Sequence, residues 1–127
     1  MKLGAVRIFV HSLVAAQAFY EETLGLPRVA GGSAFGYCVF EMDGPGDAQL
    51  VIEAVSLDAP LEDRELVGRF TGVSFTVPDV SALHAALTER GVKFTDPPER
   101  QPWGGVLATF LDPSGNELQI VEMPGAT

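Results

Sequence analysis

Cysteine is almost absent from this chain of 127 residues, which has Cys38 as its only thiol. A single cysteine can form neither an internal disulfide nor a cysteine-based zinc site. Folding without disulfides is typical of proteins from reducing compartments. We therefore expect a domain that is stabilised by its apolar core and lies in the cytoplasm.

Basic residues are also scarce, because 8 Lys and Arg stand against 17 Asp and Glu, and the net charge is −9. The basic residues are scattered along the chain, and an acidic surface repels a phosphate backbone. This balance argues against nucleic-acid binding. If acidic side chains line a pocket, the same charge would attract a cationic ligand.

Long hydrophobic runs are missing as well. A membrane-spanning helix needs roughly 20 consecutive apolar residues, and no stretch of the sequence approaches that length. Arg7 interrupts the apolar N-terminal stretch, which is too short for the core of a signal peptide. We expect a soluble protein with no membrane partner.

One pattern occurs twice along the chain. In the first copy Val6, Ile8 and Val10 alternate along a predicted strand, Ser12 is a predicted helix N-cap, and Gly25 ends the helix. The corresponding residues lie 66 or 67 positions later, at Val73, Phe75, Val77, Asp79 and Gly91. The repeat predicts two similar strand–helix units.

Each strand–helix unit is followed by three segments with the pattern of antiparallel strands. These segments are 28–31, 35–42, 49–54, 92–95, 106–111 and 117–122, with turns at 43–47 and 112–116. The sequence therefore predicts an α+β fold of two tandem β-α-β-β-β modules. The predicted boundaries are 1–55 for the first module, 56–69 for a linker, 70–123 for the second module and 124–127 for a tail.

A sheet with a helix on one face leaves its other face open, and two open faces can enclose a cup. Strand alternation predicts which side chains face that cup: Ala5, Arg7, Phe9, Gln49, Val51, Glu53, Gly72, Ser74, Thr76, Glu117, Gln119 and Val121. Six aromatic residues either line the cup or fill the core: Phe9, Phe35, Tyr37, Phe40, Trp103 and Phe110.

Two segments resemble a known family. VHSLVAAQAFYEETLGL at 10–26 resembles the first strand end and helix of the vicinal-oxygen-chelate superfamily, and WGG at 103–105 followed by FLDPSGNELQIVE at 110–122 resembles its closing hairpin. This superfamily includes glyoxalase I, extradiol dioxygenases and bleomycin resistance proteins. The resemblance, from Met1 to about Glu122, implies the cup-shaped fold, a small-molecule ligand and a homodimer, but the fold does not determine the reaction.

The resemblance also identifies four positions where metal-using relatives carry ligands. They are occupied here by Ala5, Glu53, Gly72 and Gln119, and the repeat relates Glu53 to Gln119. The side chains of Ala5 and Gly72 have no donor atom, and Gln119 offers only an amide. Two ligands, one of them neutral, are too few to hold a divalent ion. No cofactor is expected, and a divalent metal is disfavoured.

We therefore expect ligand-binding side chains rather than a catalytic set, namely Arg7, Phe9, Glu53, Ser74, Trp103 and Gln119. Glu53 either binds a cationic or hydroxylated ligand group, acts as a general base, or pairs with Arg7. Trp103 lies in a loop rich in Pro and Gly, where an aromatic ring can stack on a flat ligand.

Three functions remain open at this point. The first is a metal-independent protein that binds a small organic molecule in the cup. The second is a lyase, isomerase or dioxygenase with a displaced metal site that uses Glu53, Gln119 and His11. The third is a partner-binding domain whose pocket is filled by its own side chains.

Overall fold

A computed structural model of the protein describes residues 1–42 and 46–125, so that most of the predicted turn at 43–47 lies outside the described residues. The chain divides into two compact units. Unit 1 is Met1–Arg69 together with Pro113–Asn116, and unit 2 is Phe70–Asp112 together with Glu117–Thr127.

Unit 1 is a four-stranded sheet with a helix on one face. The sheet order is β1-β4-β3-β2, in which β1 and β4 are parallel and the other neighbours are antiparallel. Its elements are β1 (Ala5–Val10), α1 (Leu13–Gln17), a π-helical continuation (Ala18–Thr23), β2 (Arg28–Gly32), a 3-10 turn (Ser33–Phe35), β3 (Tyr37–Glu41), β4 (Gln49–Ala54) and α2 (Leu61–Arg64).

Unit 2 has the same order of elements and one additional short strand. Its sheet order is β5-β9-β8-β6, with β7 also paired to β8, and β5 is parallel to β9. Its elements are β5 (Phe70–Thr76), α3 (Val80–Glu89), β6 (Lys93–Phe94), β7 (Glu99–Arg100), β8 (Val106–Leu111) and β9 (Glu117–Glu122). The predicted α+β fold class is confirmed.

The predicted helix caps are present. The Ser12 side chain accepts a hydrogen bond from the Ala15 amide at 3.2 Å, and Asp79 accepts one from the Ala82 amide at 3.0 Å. Each bond satisfies one of the amides that a helix leaves unpaired in its first turn. Gly25, after the first helix, has a φ of 75°, a conformation that glycine adopts without steric cost.

The first helix differs from the prediction because it is α-helical only to Gln17 and then widens into a π-helix. The amide of Leu24 bonds to the carbonyl of Phe19, five residues earlier, at 2.9 Å. In this wider turn the consecutive residues Phe19 and Tyr20 are both buried, with 9 % and 0 % of their surface exposed. The regular spacing of apolar residues along the sequence does not predict this change from α-helix to π-helix.

Strand alternation sorts most side chains as predicted, but Val121, which was expected to face the cup, is only 8 % exposed. In unit 1 Ile8, Val10 and Ile52 are buried under the helix, whereas Arg7 and Glu53 lie on the opposite face. In unit 2 the buried residues include Val80, Leu87, Leu118 and Ile120. Each buried aliphatic side chain stabilises the fold by about 1.5–3 kcal/mol relative to an exposed one.

Two aromatic residues are core residues and do not line an open face. Phe40 and Phe110 are both fully buried, because strand alternation places them on the helix side of their sheets. The ring of Phe40 lies 6.0 Å from that of Tyr20, and the ring of Phe110 lies 5.8 Å from that of Phe94. For these two residues the cup-lining alternative is wrong.

Several strand boundaries differ from the prediction. Phe35 belongs to a 3-10 turn, so that β3 begins only at Tyr37, and β6 is shorter than the predicted segment 92–95. The short strand β7 was not predicted. Among the described residues no helix has the length and apolar character needed to cross a membrane.

Candidate functional site

The open face of unit 1 carries an ion pair between its edge strand β1 and the neighbouring strand β4. Nη2 of Arg7 lies 2.8 Å from Oε1 of Glu53, with 63 % of the Arg7 side chain and 29 % of the Glu53 side chain exposed. β1 and β4 are adjacent parallel strands, and Phe9 lies beside Glu53. Arg7 is two residues before Phe9 and therefore points to the same face, so its side chain can reach Glu53. The ion-pair alternative for Glu53 is present in the structure, and its contact with a ligand stays a prediction.

This ion pair is weak enough to open. The contact joins Nη2 of Arg7 to Oε1 of Glu53, and most of the Arg7 side chain is exposed to water. Exposed pairs of this kind stabilise proteins by about 0–1 kcal/mol. A ligand group that binds the Glu53 carboxylate could therefore displace Arg7 at little energetic cost.

Beside the ion pair, unit 1 contains an open pocket of about 300 Å³. One wall is the end of β1 and β4, and the other is the segment that contains α2. The lining residues are Phe9, Glu53, Ala54, Val55, Ser56, Ala59, Asp63 and Leu66. Two of these side chains are carboxylates and none is basic.

Besides Ala54 and Val55, four of these lining residues were not predicted as ligand-binding residues, namely Ser56, Ala59, Asp63 and Leu66. They belong to the segment 56–69, which reads as a polar linker. Its only structural signal was a short charged helical turn, observed as α2. A backbone bridge between Phe9 and Val67 brings this segment alongside β1.

A buried asparagine holds the pocket wall in place. Asn116 is 0 % exposed, and its Oδ1 accepts hydrogen bonds from the amides of Gly68 at 2.8 Å and Arg69 at 3.3 Å. Its Nδ2 donates to the carbonyl of Phe9 at 2.8 Å. One amide side chain thus joins the end of β1 to the segment that forms the second wall.

His11 makes two hydrogen bonds within unit 1. Its ring Nδ1 lies 3.2 Å from the carbonyl oxygen of Val55, and its backbone amide donates to Oγ of Ser114 at 3.1 Å. The part of the chain that the structure describes has no group of three or more His, Cys, Asp or Glu residues placed to hold a metal ion. His84, on α3, packs its ring against that of Phe94, with the ring centroids 4.3 Å apart.

The open face of unit 2 has neutral polar side chains where unit 1 has charges. Oγ of Ser74 donates to Oε1 of Gln119 at 3.3 Å, and Nε2 of Gln119 donates to Oγ1 of Thr109 at 3.2 Å. Both ends of the Gln119 amide are therefore engaged. Ligand contact by Ser74 and Gln119 stays a prediction.

Strand pairing gives Glu53 and Gln119 different neighbours in their sheets. Glu53 lies beside Phe9, and the 67-residue repeat relates Phe9 to Thr76. Thr76 lies beside Val121, whereas Gln119 lies two residues earlier on β9. By strand pairing the counterpart of Glu53 is thus Val121, and the correspondence of Glu53 with Gln119 as family ligand positions stays a prediction.

A bulge in β5 surrounds Gly72. Between Phe70 and Ser74 the strand advances four residues, while β9 advances only two, from Glu117 to Gln119. Gly72 has a φ of 75°, which L-residues with a side chain rarely adopt. A residue with a metal-binding side chain would be strained in this backbone conformation.

Trp103 lies in the loop between β7 and β8 and is 49 % exposed. Two backbone hydrogen bonds close this loop: Gly104 donates to the carbonyl of Gln101 at 2.9 Å, and Gln101 donates to the carbonyl of Gly105 at 2.8 Å. The predicted position of an exposed aromatic ring in a turn is confirmed. Its contact with a ligand stays a prediction.

On the helix side of unit 1, Glu21 interacts with Arg28 and Gln17. The Arg28 guanidinium, 3.0 Å from the Glu21 carboxylate, lowers the pKa of Glu21, and a hydrogen bond from Gln17 lowers that pKa further. Cys38 is fully buried, and burial raises the pKa of its thiol. A buried, protonated thiol is a poor nucleophile, as expected for a packed cysteine.

Comparison with known proteins identifies the family of this chain. The family model of the Glyoxalase/Bleomycin resistance protein/Dioxygenase superfamily matches residues 2–120. The chain is 29 % identical over 127 residues to the uncharacterized protein YraH of Bacillus subtilis strain 168, with 97 % of this chain and 99 % of YraH covered.

Two solved structures are similar over nearly their whole lengths. A member of the same superfamily from Sphaerobacter thermophilus is 30 % identical, with a TM-score of 0.78 and with 96 % of this chain and 97 % of that chain covered. TnmS3, an antibiotic binding protein from Streptomyces sp. CB03234, is 29 % identical, with a TM-score of 0.75 and with 97 % and 96 % covered.

Proposed function

Since the chain belongs to the Glyoxalase/Bleomycin resistance protein/Dioxygenase superfamily, we propose that it binds a small organic molecule without the usual metal site of that superfamily. The observation that carries this proposal is the pocket of about 300 Å³ formed by Phe9, Glu53 and Asp63 in unit 1. Its volume is at the lower end of the range of small-molecule sites.

The composition of the family's ligand positions supports the proposal. Ala5 and Gly72 have no side-chain donor, and the backbone at Gly72 disfavours any residue that has one. Glu53 has a carboxylate, but Arg7 already pairs with it. The antibiotic binding protein TnmS3, at 29 % identity, gives a precedent for binding within the same fold.

The charge of the pocket defines the chemistry of its ligand. Two carboxylates and no basic side chain line it, beside the aromatic ring of Phe9. A group that donates hydrogen bonds or carries a positive charge, such as an amine, satisfies the carboxylates, and the ring adds a cation–π contact. An anionic group would be repelled.

The test is native mass spectrometry of the protein purified without chelators, followed by calorimetric titration of the molecule that it carries. We expect a small organic molecule that binds Glu53→Gln at least tenfold more weakly, because its carboxylate partner is lost. Glu41→Gln is the matched control, because Glu41 lies on the same sheet face but outside the pocket lining.

Elemental analysis of the same sample separates this proposal from the enzymatic alternative. A stoichiometric divalent metal that is lost together with turnover in Glu53→Gln would establish a lyase, isomerase or dioxygenase with a displaced site. A sample that carries neither a small molecule nor a metal would favour the partner-binding alternative.

We also propose a cytoplasmic homodimer, the assembly implied by the family resemblance. The absence of any cysteine besides Cys38 supports the reducing location. Light scattering coupled to size-exclusion chromatography measures the assembly directly. A particle of 13.5 kDa, the mass of one chain, would contradict the dimer.

A further inference from the structure

The loop that carries Trp103 has a glycine, Gly105, at a position where the backbone conformation does not require one. Gly105 has no positive φ, so an alanine could adopt the same backbone angles there. The obstacle is space, because a Cβ on Gly105 would overlap the six-membered ring of the Trp103 indole. It would also approach the carbonyl oxygen of Glu122 to 2.6 Å.

The remainder of the loop restricts the indole in the same way. The two backbone hydrogen bonds between Gln101, Gly104 and Gly105 close the turn, and Nη1 of Arg100 donates to the carbonyl of Gly104 at 3.2 Å. At Gly104 a Cβ would lie 3.1 Å from Cβ of Pro124. The turn that carries the only tryptophan of the chain is therefore tightly packed.

A tryptophan that is 49 % exposed could move between rotamers if nothing held its ring. The ring lies against the bare backbone at Gly105, and this contact restricts its rotamers before any ligand arrives. A side chain that is already ordered loses less entropy on binding than a mobile one, and this preorganisation increases affinity.

We propose that Gly105 is a positioning residue, whose missing Cβ provides the space in which the Trp103 indole is held as a preformed ligand contact. Its role in binding rests on the proposed function, whereas its effect on the indole does not. The ligand-free protein therefore tests the second part by itself.

The first experiment records tryptophan emission, acrylamide quenching and near-ultraviolet circular dichroism of ligand-free Gly105→Ala. We expect a red shift of the emission, stronger quenching and loss of the indole dichroism band, because the displaced ring becomes mobile and more exposed. Gly4→Ala is the matched control, since a Cβ at Gly4 meets no atom within 4 Å and its φ is not positive. Spectra of Gly105→Ala that equal those of the wild type would overturn the proposal.

A double-variant cycle separates the indole from the nearby carbonyl of Glu122. Trp103→Leu lacks the ring atoms that a Cβ would overlap, so Gly105→Ala should destabilise this variant less than it destabilises the wild type. If Gly105→Ala does not fold, the double variant Gly105→Ala with Trp103→Leu should restore folding. Additive effects, or a double variant that also fails to fold, would mean that Glu122 is the obstacle and would contradict the proposal.

Binding of the co-purified molecule then separates this inference from the proposed function. Weaker binding by Gly105→Ala together with the spectral change supports both. A spectral change with unaltered binding overturns the binding role of the indole and leaves the Glu53 pocket standing. If no molecule binds the wild type, the proposed function fails, and the binding role of Gly105 fails with it.

Discussion

The two units share one order of elements and differ in how the open face of the sheet is built. In unit 1 the parallel strands β1 and β4 pair in continuous register, and an arginine–glutamate ion pair spans them. In unit 2 the strand β5 is bulged at Gly72, and the polar contact is the neutral bond between Ser74 and Gln119. A duplicated backbone can therefore carry different chemistry, because a two-residue shift in register changes which side chains are adjacent.

The cores should be the least different part of the two units. Phe40→Ala and Phe110→Ala each remove a fully buried ring, and we expect each to lower the free energy of unfolding by about 3–5 kcal/mol. Urea denaturation followed by circular dichroism measures both. Phe35→Ala is the control, because that ring is 72 % exposed and its loss should change stability by less than about 0.5 kcal/mol. A small loss at only one of the buried positions would break the equivalence of the cores.

The Asn116 side chain joins two segments of unit 1. Asn116→Ala leaves the amides of Gly68 and Arg69 and the carbonyl of Phe9 without this side-chain partner. We expect the free energy of unfolding to fall by about 2–4 kcal/mol. Thermal unfolding by calorimetry measures the loss. Ser114→Ala, two positions earlier in the same turn, should have a much smaller effect, and equal losses would contradict a specific role for the amide.

The bulge in β5 is the clearest backbone difference. Gly72→Ala forces a Cβ onto a residue with a φ of 75°, which should cost about 1–2 kcal/mol. The related position in unit 1 has an alanine in ordinary strand conformation, and Ala5→Gly should cost no more than about 1 kcal/mol. Chemical denaturation of both variants is the measurement. A Gly72→Ala variant as stable as the wild type would show that the bulge does not require glycine.

The polar contacts of the open faces should matter little to stability. Arg7→Gln and Ser74→Ala should each change the free energy of unfolding by less than about 1 kcal/mol, because both contacts are largely in water. Salt distinguishes them: 1 M sodium chloride should reduce the effect of Arg7→Gln and leave that of Ser74→Ala unchanged. A larger loss for Arg7→Gln would mean that the ion pair holds the sheet together.

The helix side of unit 1 should show a pH dependence of its own. Because the pKa of Glu21 is lowered in the folded protein, its carboxylate stabilises the fold above the unfolded-state pKa. That stabilisation is lost as the pH falls through the folded-state pKa. Glu21→Gln should therefore reduce the melting temperature near neutral pH and show a weaker decline in acid than the wild type. Melting temperatures of the wild type and of Glu21→Gln that fall in parallel between pH 7 and pH 3 would contradict this prediction.

Much of the fold follows from local sequence rules. The caps at Ser12 and Asp79 and the bounds of β4, β8 and β9 were predicted because side-chain chemistry and strand alternation are local properties. The π-helical turn at 18–23 and the two-residue strand β7, which pairs with the nearby β8, were not predicted, because neither has a distinct pattern of residue types.

The candidate site was predictable only in part. The alternation of side chains along a strand predicts the sheet face on which Arg7 and Glu53 lie. Their ion pair requires in addition only that β1 and β4 are neighbours in the sheet. The contribution of Asp63 depends on how the 56–69 segment folds back along β1, which no local pattern encodes. The register that separates Glu53 from Gln119 depends on the bulge at Gly72, and a repeat counted along the sequence cannot detect it.

The assignment of residues 113–116 to unit 1 has a consequence for the order of synthesis. The chain of unit 1 is almost complete at Arg69, but the side chain that bonds Gly68 to Phe9 is translated at position 116. At about 5–20 residues per second, the ribosome takes roughly 2–10 s to add the intervening residues. During that interval the nascent first unit lacks Asn116, so the pocket wall can be completed only after most of the second unit has been translated.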